Sequence, residues 1–287
     1  MIIDGKKLAD EILRQLKKEI QKLPRRLSIG AVLVGRNPAS MSFLKQKERA
    51  AEMLGINFKI FKFPPKTATA RIRGKALELN KIRNINGIII QLPLPKHINT
   101  EKNLAVINPN KDIDALSKSP LILAPTVEAI KFIFQKYRIN LRNKNILIVG
   151  RGRLVGQPIY NWLVSQETSR QVMMLKKIWI VDIKQKNQLP KIAREADIII
   201  SGVGKAGLIK GNMIKKDAVL IDFGFSKKNG KIFGDFDFNS CATKAKFITP
   251  VPGGMGPIMI AMIFKNLLNL ETKDPSYNQD LLFQGLH

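Results

Sequence analysis

The sequence predicts an α/β protein of two domains, the second of them Rossmann-like, and three observations support this prediction. Short apolar runs typical of buried strands alternate with helical segments along most of the chain, which is the pattern of parallel sheets. A glycine-rich string, Gly150-Arg-Gly-Arg-Leu-Val-Gly156, lies between one such strand and a helix. The length of 287 residues is enough for about two domains that each bury a core.

The first half of the chain begins with an amphipathic helix at residues 6–23, whose apolar stripe consists of Leu8, Ile12, Leu16, Ile20 and Leu23. We then expect strands at 27–35, 57–61 and 87–92, and helices at 37–56 and 70–79. Ligands of parallel sheets bind beyond the carboxyl ends of the strands. The start of the second helix and Gln91 fall at such ends.

The predicted helix after the first strand carries three side chains of different chemistry on one face. Pro38 and Ser40 suit its start, and Gly55 suits its end. Ser40, Phe43 and Lys47 lie at i, i+3 and i+7, so a hydroxyl, a ring and an amine share a face. One interpretation is a functional site. The other is a surface helix with Phe43 in the core and Lys47 in solvent.

Two motifs follow the third predicted strand. Gln91-Leu-Pro-Leu-Pro95 cannot continue a β-ladder, because proline has no N–H to donate. The chain therefore turns there and leaves the Gln91 amide at the strand end. Lys111-Asp-Ile-Asp114 lies in a loop, where its carboxylates could bind a metal, cap a helix or grip an amidine-like edge of a heterocycle. A cap or a solvated loop is the ordinary interpretation of such a pair.

The sequence pattern of the second half of the chain predicts a dinucleotide-binding site. A helix at 126–138 with a threonine cap leads to strands at 145–150, 178–182, 196–201 and 218–222, and a helix at 258–268 follows. Glycines at 150, 152 and 156 let a phosphate approach the amides of a helix start. Asp182 ends the second of these strands, where such domains bind a ribose. A purely structural α/β layer is the alternative.

The composition excludes several classes of site. Cys241 is the single cysteine, and His97 and His287 are the two histidines. Disulfide frameworks, zinc clusters and Cys-His nucleophiles are therefore excluded, and we predict no metal. Proton transfer then falls to Lys, Asp, Glu, Tyr or water.

The net charge of +27 favours polyanionic partners. However, the lysines are scattered and no nucleic-acid motif is present, so nucleic acid is not an expected partner. The sequence has neither an apolar run that spans a bilayer nor a signal peptide. We therefore expect a cytoplasmic protein without a membrane partner.

Six motifs occur in order between about residue 2 and residue 270: Ser40-x-x-Phe43-x-x-x-Lys47, Gln91-Leu-Pro-Leu-Pro95, Lys111-Asp-Ile-Asp114, Gly150-Arg-Gly-Arg-Leu-Val-Gly-Gln-Pro158, Ile221-Asp-Phe-Gly224 and Pro250-Val-Pro-Gly-Gly-Met-Gly-Pro257. Together they resemble the bifunctional methylenetetrahydrofolate dehydrogenase/methenyltetrahydrofolate cyclohydrolase family. The second and the last motif are the most specific.

The resemblance implies an N-terminal α/β catalytic domain and a Rossmann-like NAD(P)-binding domain with a cleft between them, usually in a homodimer. The implied domains are residues 1–120, completed by a C-terminal helix at 256–270, and residues 121–255, with a loose tail at 271–287. The implied reaction oxidises 5,10-methylenetetrahydrofolate with NAD(P)⁺ to the methenyl cation, which water then converts to 10-formyltetrahydrofolate.

The resemblance also implies residue roles. Lys47 matches the catalytic lysine, Gln91 the glutamine that hydrogen-bonds it, and Asp114 the aspartate that holds the pterin. A lysine that faces a cationic intermediate is disfavoured as an ammonium and can act as a base. Implied substrate-binding residues are Ser40, Phe43, Leu92, Pro252, Gly253 and Gly254. Implied cofactor-binding residues are Thr126, Gly150, Arg151, Gly152, Arg153, Val155, Gly156, Pro158, Asp182, Lys184, Gly204 and Phe225.

The chain departs from the family pattern at several positions. Phe43 stands where the family usually has tyrosine, so the hydroxyl that orients the lysine is missing, and we expect activity to be weakened or rebalanced between the two steps. Ala115 replaces a glycine, Met259 replaces a threonine, and Ala124-Pro-Thr-Val127 replaces Pro-Cys-Thr-Pro.

The choice between NAD and NADP depends on the residues after the second Rossmann strand. NADP-using relatives have a Ser-Arg/Lys-Thr string there, whereas this chain has Ile183-Lys-Gln185. Asp182 would repel a 2′-phosphate, so NAD is slightly favoured, while Arg151, Arg153 and Lys184 leave NADP open. Two functional alternatives also stay open: a monofunctional family member, because of Phe43, and a non-catalytic nucleotide- or RNA-binding protein.

Overall fold

The structure is a computed structural model that describes residues 1–168, 175–182 and 187–273. The chain forms two compact units. The three-strand unit comprises Asp10–Pro125 and the chain from Ile260 onward, and the five-strand unit comprises Met1–Ala9 and Thr126–Met259. Each unit has its own parallel sheet. The predicted fold class, an α/β protein with a Rossmann-like second part, is confirmed.

The three-strand unit contains the elements of the first half of the chain. They are α1 (Gly5–Gln21, which begins in the other unit), β1 (Ser28–Val34), α2 (Pro38–Met53), β2 (Asn57–Phe63), α3 (Thr69–Lys81), β3 (Gly87–Ile90) and α4 (Thr100–Leu104). The strand order is β2-β1-β3. The chain leaves β1 to build β2 on one side and returns to build β3 on the other, so loops after β1 and β3 diverge at the carboxyl edge.

The core of this unit follows from the apolar runs. Every residue of β1 except Ser28 is buried, and β3 is buried throughout, as expected for a parallel strand covered on both faces. Gly30 of β1 lies under Leu79 of α3, where a Cβ would meet the leucine side chain. The helix therefore packs directly on the strand.

The five-strand unit contains the remaining elements. They are α5 (Pro125–Lys136), β4 (Asn145–Val149), α6 (Gly156–Thr168), β5 (Lys177–Val181), α7 (Leu189–Glu195), β6 (Ile198–Ser201), β7 (Val219–Asp222), β8 (Ser226–Lys228), β9 (Lys231–Phe233), α8 (Phe238–Ala242), β10 (Phe247–Ile248) and α9 (Met255–Thr272, which continues into the three-strand unit). The order is β10-β7-β6-β4-β5, with β8 and β9 as a separate hairpin. The order reverses between β4 and β6, which is the position where doubly wound sheets bind ligands.

Some predicted boundaries differ from the structure. The helix expected at 37–56 ends at Met53, and Gly55 follows with a φ of 73°. Its N-cap is Asn37, whose side chain accepts from the Ser40 N–H. Thr126 was expected to cap α5, but that helix begins at Pro125, so Thr126 lies inside the first turn. Of the tail predicted at 271–287, residues 274–287 lie outside the described part of the chain.

Among the described helices, none is both long enough and apolar enough to cross a membrane.

Candidate active site

Lys47 is a buried charged residue on α2. It lies on the same helix face as Ser40 and Leu44, and only 7% of its surface is exposed. Phe43, on the same helix, is half-buried. The surface-helix interpretation, with Phe43 in the core and Lys47 in solvent, is therefore wrong. A buried ammonium requires a partner, because its desolvation costs several kcal/mol.

Asp114 supplies that partner. Its Oδ2 lies 3.4 Å from the Lys47 Nζ, and both side chains are largely buried. This is the only hydrogen bond of the Lys47 amine within the described residues. The structure therefore brings together two of the three predicted catalytic residues, which are 67 positions apart in the chain.

Gln91 follows β3 directly, as the turn at Pro93 predicts. Its Nε2 donates to the Leu92 carbonyl oxygen at 2.9 Å, and the Ser40 Oγ donates to the same oxygen at 3.2 Å. The predicted hydrogen bond between Gln91 and Lys47 does not form in this structure, because the Gln91 amide group turns to its neighbour. The Gln91 Oε1 is buried and has no hydrogen-bond partner among the described residues. It is an acceptor that a ligand or water can use.

The loop that carries Asp114 is held by side chains that sequence analysis missed. The Lys111 Nζ donates to the carbonyl oxygens of Asn80 (2.9 Å) and Ile82 (2.8 Å) at the end of α3, a common role of lysine at a helix C-terminus. Asn266 of α9 donates to the Ile113 carbonyl oxygen at 3.1 Å. These partners are distant in sequence, so no local pattern could have shown them.

The two carboxylates of this loop have different surroundings. Asp112 is fully buried and accepts from the Ser117 N–H at 2.6 Å. Burial raises its pKa, and the charge of Asp114 raises it further. Asp112 therefore closes the loop, while Asp114 faces Lys47. Ala115, which stands where the family usually has glycine, has a φ of 54°, a left-handed conformation that costs an alanine about 1 kcal/mol.

Of the residues predicted to bind substrate, Pro252, Gly253 and Gly254 lie in the five-strand unit. The Gly253 carbonyl oxygen accepts from the Lys6 N–H at 2.9 Å, and Gly253 has a φ of 97°. A Cβ at Gly254 would collide with the Pro250 carbonyl oxygen. The loop is therefore a tight backbone turn against the start of α1.

The glycine-rich turn between β4 and α6 has the shape of an anion site. Gly150 has a φ of 100°, and a Cβ on Gly156 would collide with the Gly150 carbonyl oxygen. These two glycines are required by the turn itself. Gly152 has open space around the position of a Cβ, so a ligand can approach the backbone of the turn there. Its carbonyl oxygen accepts from the Val155 N–H at 3.3 Å and the Gln157 N–H at 3.1 Å.

The other predicted cofactor residues that the structure describes belong to the same five-strand unit. Val155 packs against Gly202, Gly204 has a φ of 73° beside the Phe225 carbonyl group, and Pro158 lies in the first turn of α6. Arg151 donates to the Ile180 carbonyl oxygen at 3.2 Å, Arg153 is exposed, and Asp182 directly follows β5. The Thr126 Oγ1 is buried and has no hydrogen-bond partner in the described part of the chain. Ile183, Lys184 and Gln185 lie outside the described residues.

A pair of buried aspartates at this edge was not singled out from the sequence. Asp222 ends β7 and Asp235 follows β9, and their exposed fractions are 3% and 0%. Burial, and then the nearby Asp235 charge, raise the pKa of Asp222 to about 7. The string Ile221-Asp-Phe-Gly224 pointed to Asp222 only as part of a motif. Asp235 lies in a segment without periodicity.

This raised pKa predicts a pH-dependent stability. Asp222 holds its proton more tightly in the folded than in the unfolded chain, so its contribution is complete below about pH 4 and is lost as the pH rises to about 7. At about 1.4 kcal/mol per pKa unit, the loss is on the order of 4 kcal/mol. Asp222→Asn does not titrate there, so the variant should gain stability relative to wild type between pH 5 and pH 8. Urea unfolding followed by tryptophan fluorescence measures this, because Trp162 and Trp179 both lie in the five-strand unit.

Asp237→Asn is the matched control. Hydrogen bonds from Ser240 lower the pKa of Asp237, so it stays charged above pH 5, and its substitution should shift stability by the same amount at both pH values. A difference between Asp222→Asn and wild type that does not change with pH would contradict the assignment.

Known proteins match this chain over most of its length. Residues 3–114 match the catalytic domain of tetrahydrofolate dehydrogenase/cyclohydrolase, and residues 124–274 match its NAD(P)-binding domain. The bifunctional protein FolD of Lactobacillus gasseri is 39% identical over 284 residues, covering 95% of this chain and 98% of the relative. That of Thermodesulfovibrio yellowstonii is 38% identical over 280 residues, covering 93% and 95%.

Solved structures agree in fold. The bifunctional enzyme FolD from Campylobacter jejuni has a TM-score of 0.86 at 30% identity, covering 95% of this chain and 99% of that one. The FolD of Trypanosoma brucei, complexed with NADP cofactor and inhibitor, has a TM-score of 0.87 at 26% identity, covering 95% and 97%. The two matched domains and the full-length similarity show that this chain belongs to the tetrahydrofolate dehydrogenase/cyclohydrolase family.

Proposed function

We propose that this protein oxidises 5,10-methylenetetrahydrofolate to 5,10-methenyltetrahydrofolate with NAD(P)⁺ and hydrolyses the product to 10-formyltetrahydrofolate. One observation carries the proposal: Lys47 is buried against Asp114 at the carboxyl edge of the three-strand sheet, in the part of the chain that matches the catalytic domain. A buried amine at a ligand-binding edge is placed to exchange protons with a bound substrate.

Lys47 is the proposed base of the hydrolytic step. Water adds to the carbon of the methenyl cation and must lose a proton, which the neutral amine accepts. The ring then opens as the bond between that carbon and one ring nitrogen breaks, and the nitrogen takes a proton from the protonated amine. The hydroxyl group on the carbon loses its proton as the formyl C=O forms, and the neutral amine accepts it and releases it to solvent.

Asp114 is the proposed anchor for the pterin. A carboxylate accepts two parallel hydrogen bonds from an amino-pyrimidine edge. When the pterin occupies both oxygens, the Lys47 amine loses its partner and is free to exchange a proton with water. The buried Gln91 Oε1, which has no partner in the described chain, can accept from the ligand or from the lysine at that stage.

The five-strand unit is the proposed cofactor domain, in accord with its match to the NAD(P)-binding family. The residues fit a dinucleotide: Gly150 and Gly156 shape the turn, and the space at Gly152 lets a phosphate approach the turn before α6. When bound, NAD(P)⁺ accepts the hydride. Asp182 after β5 suits a ribose diol better than a 2′-phosphate, so we propose a preference for NAD.

We extend the proposal to assembly and location on the family resemblance. The protein is proposed to be a cytoplasmic homodimer, with folate bound by residues 1–120 and helix 256–270 and the cofactor bound by residues 121–255.

Purified protein should therefore convert methylenetetrahydrofolate with either cofactor, with a larger kcat/KM for NAD than for NADP. Absorbance of the methenyl product and of the reduced cofactor measures both steps. Asp182→Asn should lower the ratio of kcat/KM with NAD to kcat/KM with NADP about tenfold, because it removes one charge that repels a 2′-phosphate. The proposal is lost if neither cofactor supports turnover and added methenyl compound decays no faster than in buffer.

Lys47→Met should reduce the cyclohydrolase rate at least about 100-fold, the usual size of general acid–base catalysis. The methenyl compound, supplied directly, gives this rate without the first step. Lys45→Met, an exposed lysine on the same helix, is the control and should keep the wild-type rate. A Lys47→Met variant with full cyclohydrolase activity would falsify the lysine assignment.

Phe43→Tyr should raise the cyclohydrolase rate relative to the dehydrogenase rate. Phe43 lies one helical turn before Lys47 on α2, so a tyrosine hydroxyl there can hold the amine for proton transfer, which an unoriented amine performs less well. The ratio of the two rates at saturating substrate is the measurement. An unchanged or lower ratio argues against a limiting role for the missing hydroxyl.

A further inference from the structure

The carboxylate of Asp235 binds the loop that follows β6. Its Oδ2 accepts from the Ser201 Oγ and from the Val203 N–H, and its Oδ1 accepts from the Lys205 N–H, each at 2.7 Å. These three donors span the segment from Ser201 to Lys205, which contains Gly204. Since β6 lies at the strand-order reversal of the sheet, Asp235 fixes a loop where doubly wound sheets bind dinucleotides.

The carboxylate of Asp222 binds two further segments. Its Oδ1 accepts from the Gly224 N–H at 2.7 Å and from the Asp235 N–H at 3.2 Å. Its Oδ2 accepts from the Phe236 N–H at 3.1 Å. Asp222 therefore fixes both the loop after β7, which contains Phe225, and the backbone that presents the Asp235 carboxylate.

The same network reaches the proline- and glycine-rich loop. The backbone N–H of Asp222 donates to the Thr249 Oγ1 at 2.7 Å. Thr249 immediately precedes the loop that contains Pro252 and Gly253. Three neighbouring loops, after β6, β7 and β10, are thus joined through the side chains of Asp222, Asp235 and Thr249.

Two positions beside these carboxylates have room only for glycine. A Cβ on Gly224 would overlap the Asp235 carboxylate, and a Cβ on Gly234 would overlap the Asp222 carboxylate. The backbone is therefore pressed against both acids, and no larger residue fits either position without displacing a carboxylate.

We propose that Asp222 and Asp235 are positioning residues for the nicotinamide cofactor, acting through the loops after β6 and β7. The inference rests on the proposed function. Stability alone does not explain two buried acids, because bringing like charges close together in a dry interior costs free energy. An apolar pair of similar volume usually gives a protein that is at least as stable. Their six hydrogen bonds fix the geometry of loops that an apolar pair would leave free.

Asp235→Asn tests the inference. The substitution replaces one acceptor oxygen by an NH₂ group that faces N–H donors, so part of the loop after β6 loses its anchor. We expect the KM for NAD and NADP to rise at least about tenfold and the dehydrogenase kcat to fall. Cyclohydrolase activity on supplied methenyltetrahydrofolate should stay within about twofold of wild type, because that step needs no hydride acceptor. Asp237→Asn, two residues away and outside the network, should match wild type in all three parameters.

Tryptophan fluorescence and far-UV circular dichroism report whether the five-strand unit of the variant is folded. A folded Asp235→Asn protein with an unchanged KM for both cofactors overturns the inference. If that variant does not fold, Ser201→Ala decides, since it removes only one of the three donors to Asp235. A rise of about threefold or more in the cofactor KM supports the inference, and a wild-type value overturns it.

Binding separates this inference from the proposed function. Titration of the variants with NADH and NADPH, followed by cofactor fluorescence, gives a dissociation constant without turnover. A wild-type protein that lacks both activities refutes the proposed function, and the positioning role is then decided by the dissociation constants. Weaker binding in Asp235→Asn than in Asp237→Asn supports it, and equal binding overturns it.

Discussion

Both units depend on one topological constraint, which is the reversal of strand order around the first strand of each parallel sheet. Because β1 is flanked by β2 and β3, and β4 by β5 and β6, the chain leaves the central strand in one direction and later returns in the other. The connections therefore separate at the carboxyl edge, where parallel sheets bind ligands. In the three-strand unit this edge carries the start of α2 and Gln91. In the five-strand unit it carries the glycine turn and the loop after β6.

Much of this arrangement could be predicted from the sequence, because it depends on long apolar runs and on glycines with a local role. The buried strands β1, β3, β4, β6 and β7 were each predicted within two residues at either end. The burial of Lys47 could not be predicted from α2 alone, since the helix pattern permits the lysine to face solvent or core. Only the pairing with Asp114, 67 positions away, distinguishes the two.

The features that the sequence did not predict are very short strands and hydrogen bonds between residues that are far apart in the chain. The β8–β9 hairpin has three residues in each strand, and β10 has two, which is too few for any periodicity to register. The anchoring role of Lys111 depends on carbonyl groups about 30 residues earlier. Likewise, Asp235 reads as an ordinary loop acid, because the donors that it accepts from lie 30 to 34 positions away.

Each unit has a pair of buried ionisable residues, and the two pairs differ in what they bind. The Asp222 and Asp235 carboxylates accept hydrogen bonds from backbone and side-chain donors of their own unit, so their role is to fix loops of that unit. The members of the Lys47–Asp114 pair bond to each other, and Lys111 and Asn266 hold the loop that carries Asp114. In this chain, which has no hydroxyl on Phe43, Asp114 is the sole partner of the Lys47 amine among the described residues. Under the proposed function, anchoring of the pterin by Asp114 competes with the orientation of the lysine, so substrate binding is the proposed step that frees the Lys47 amine.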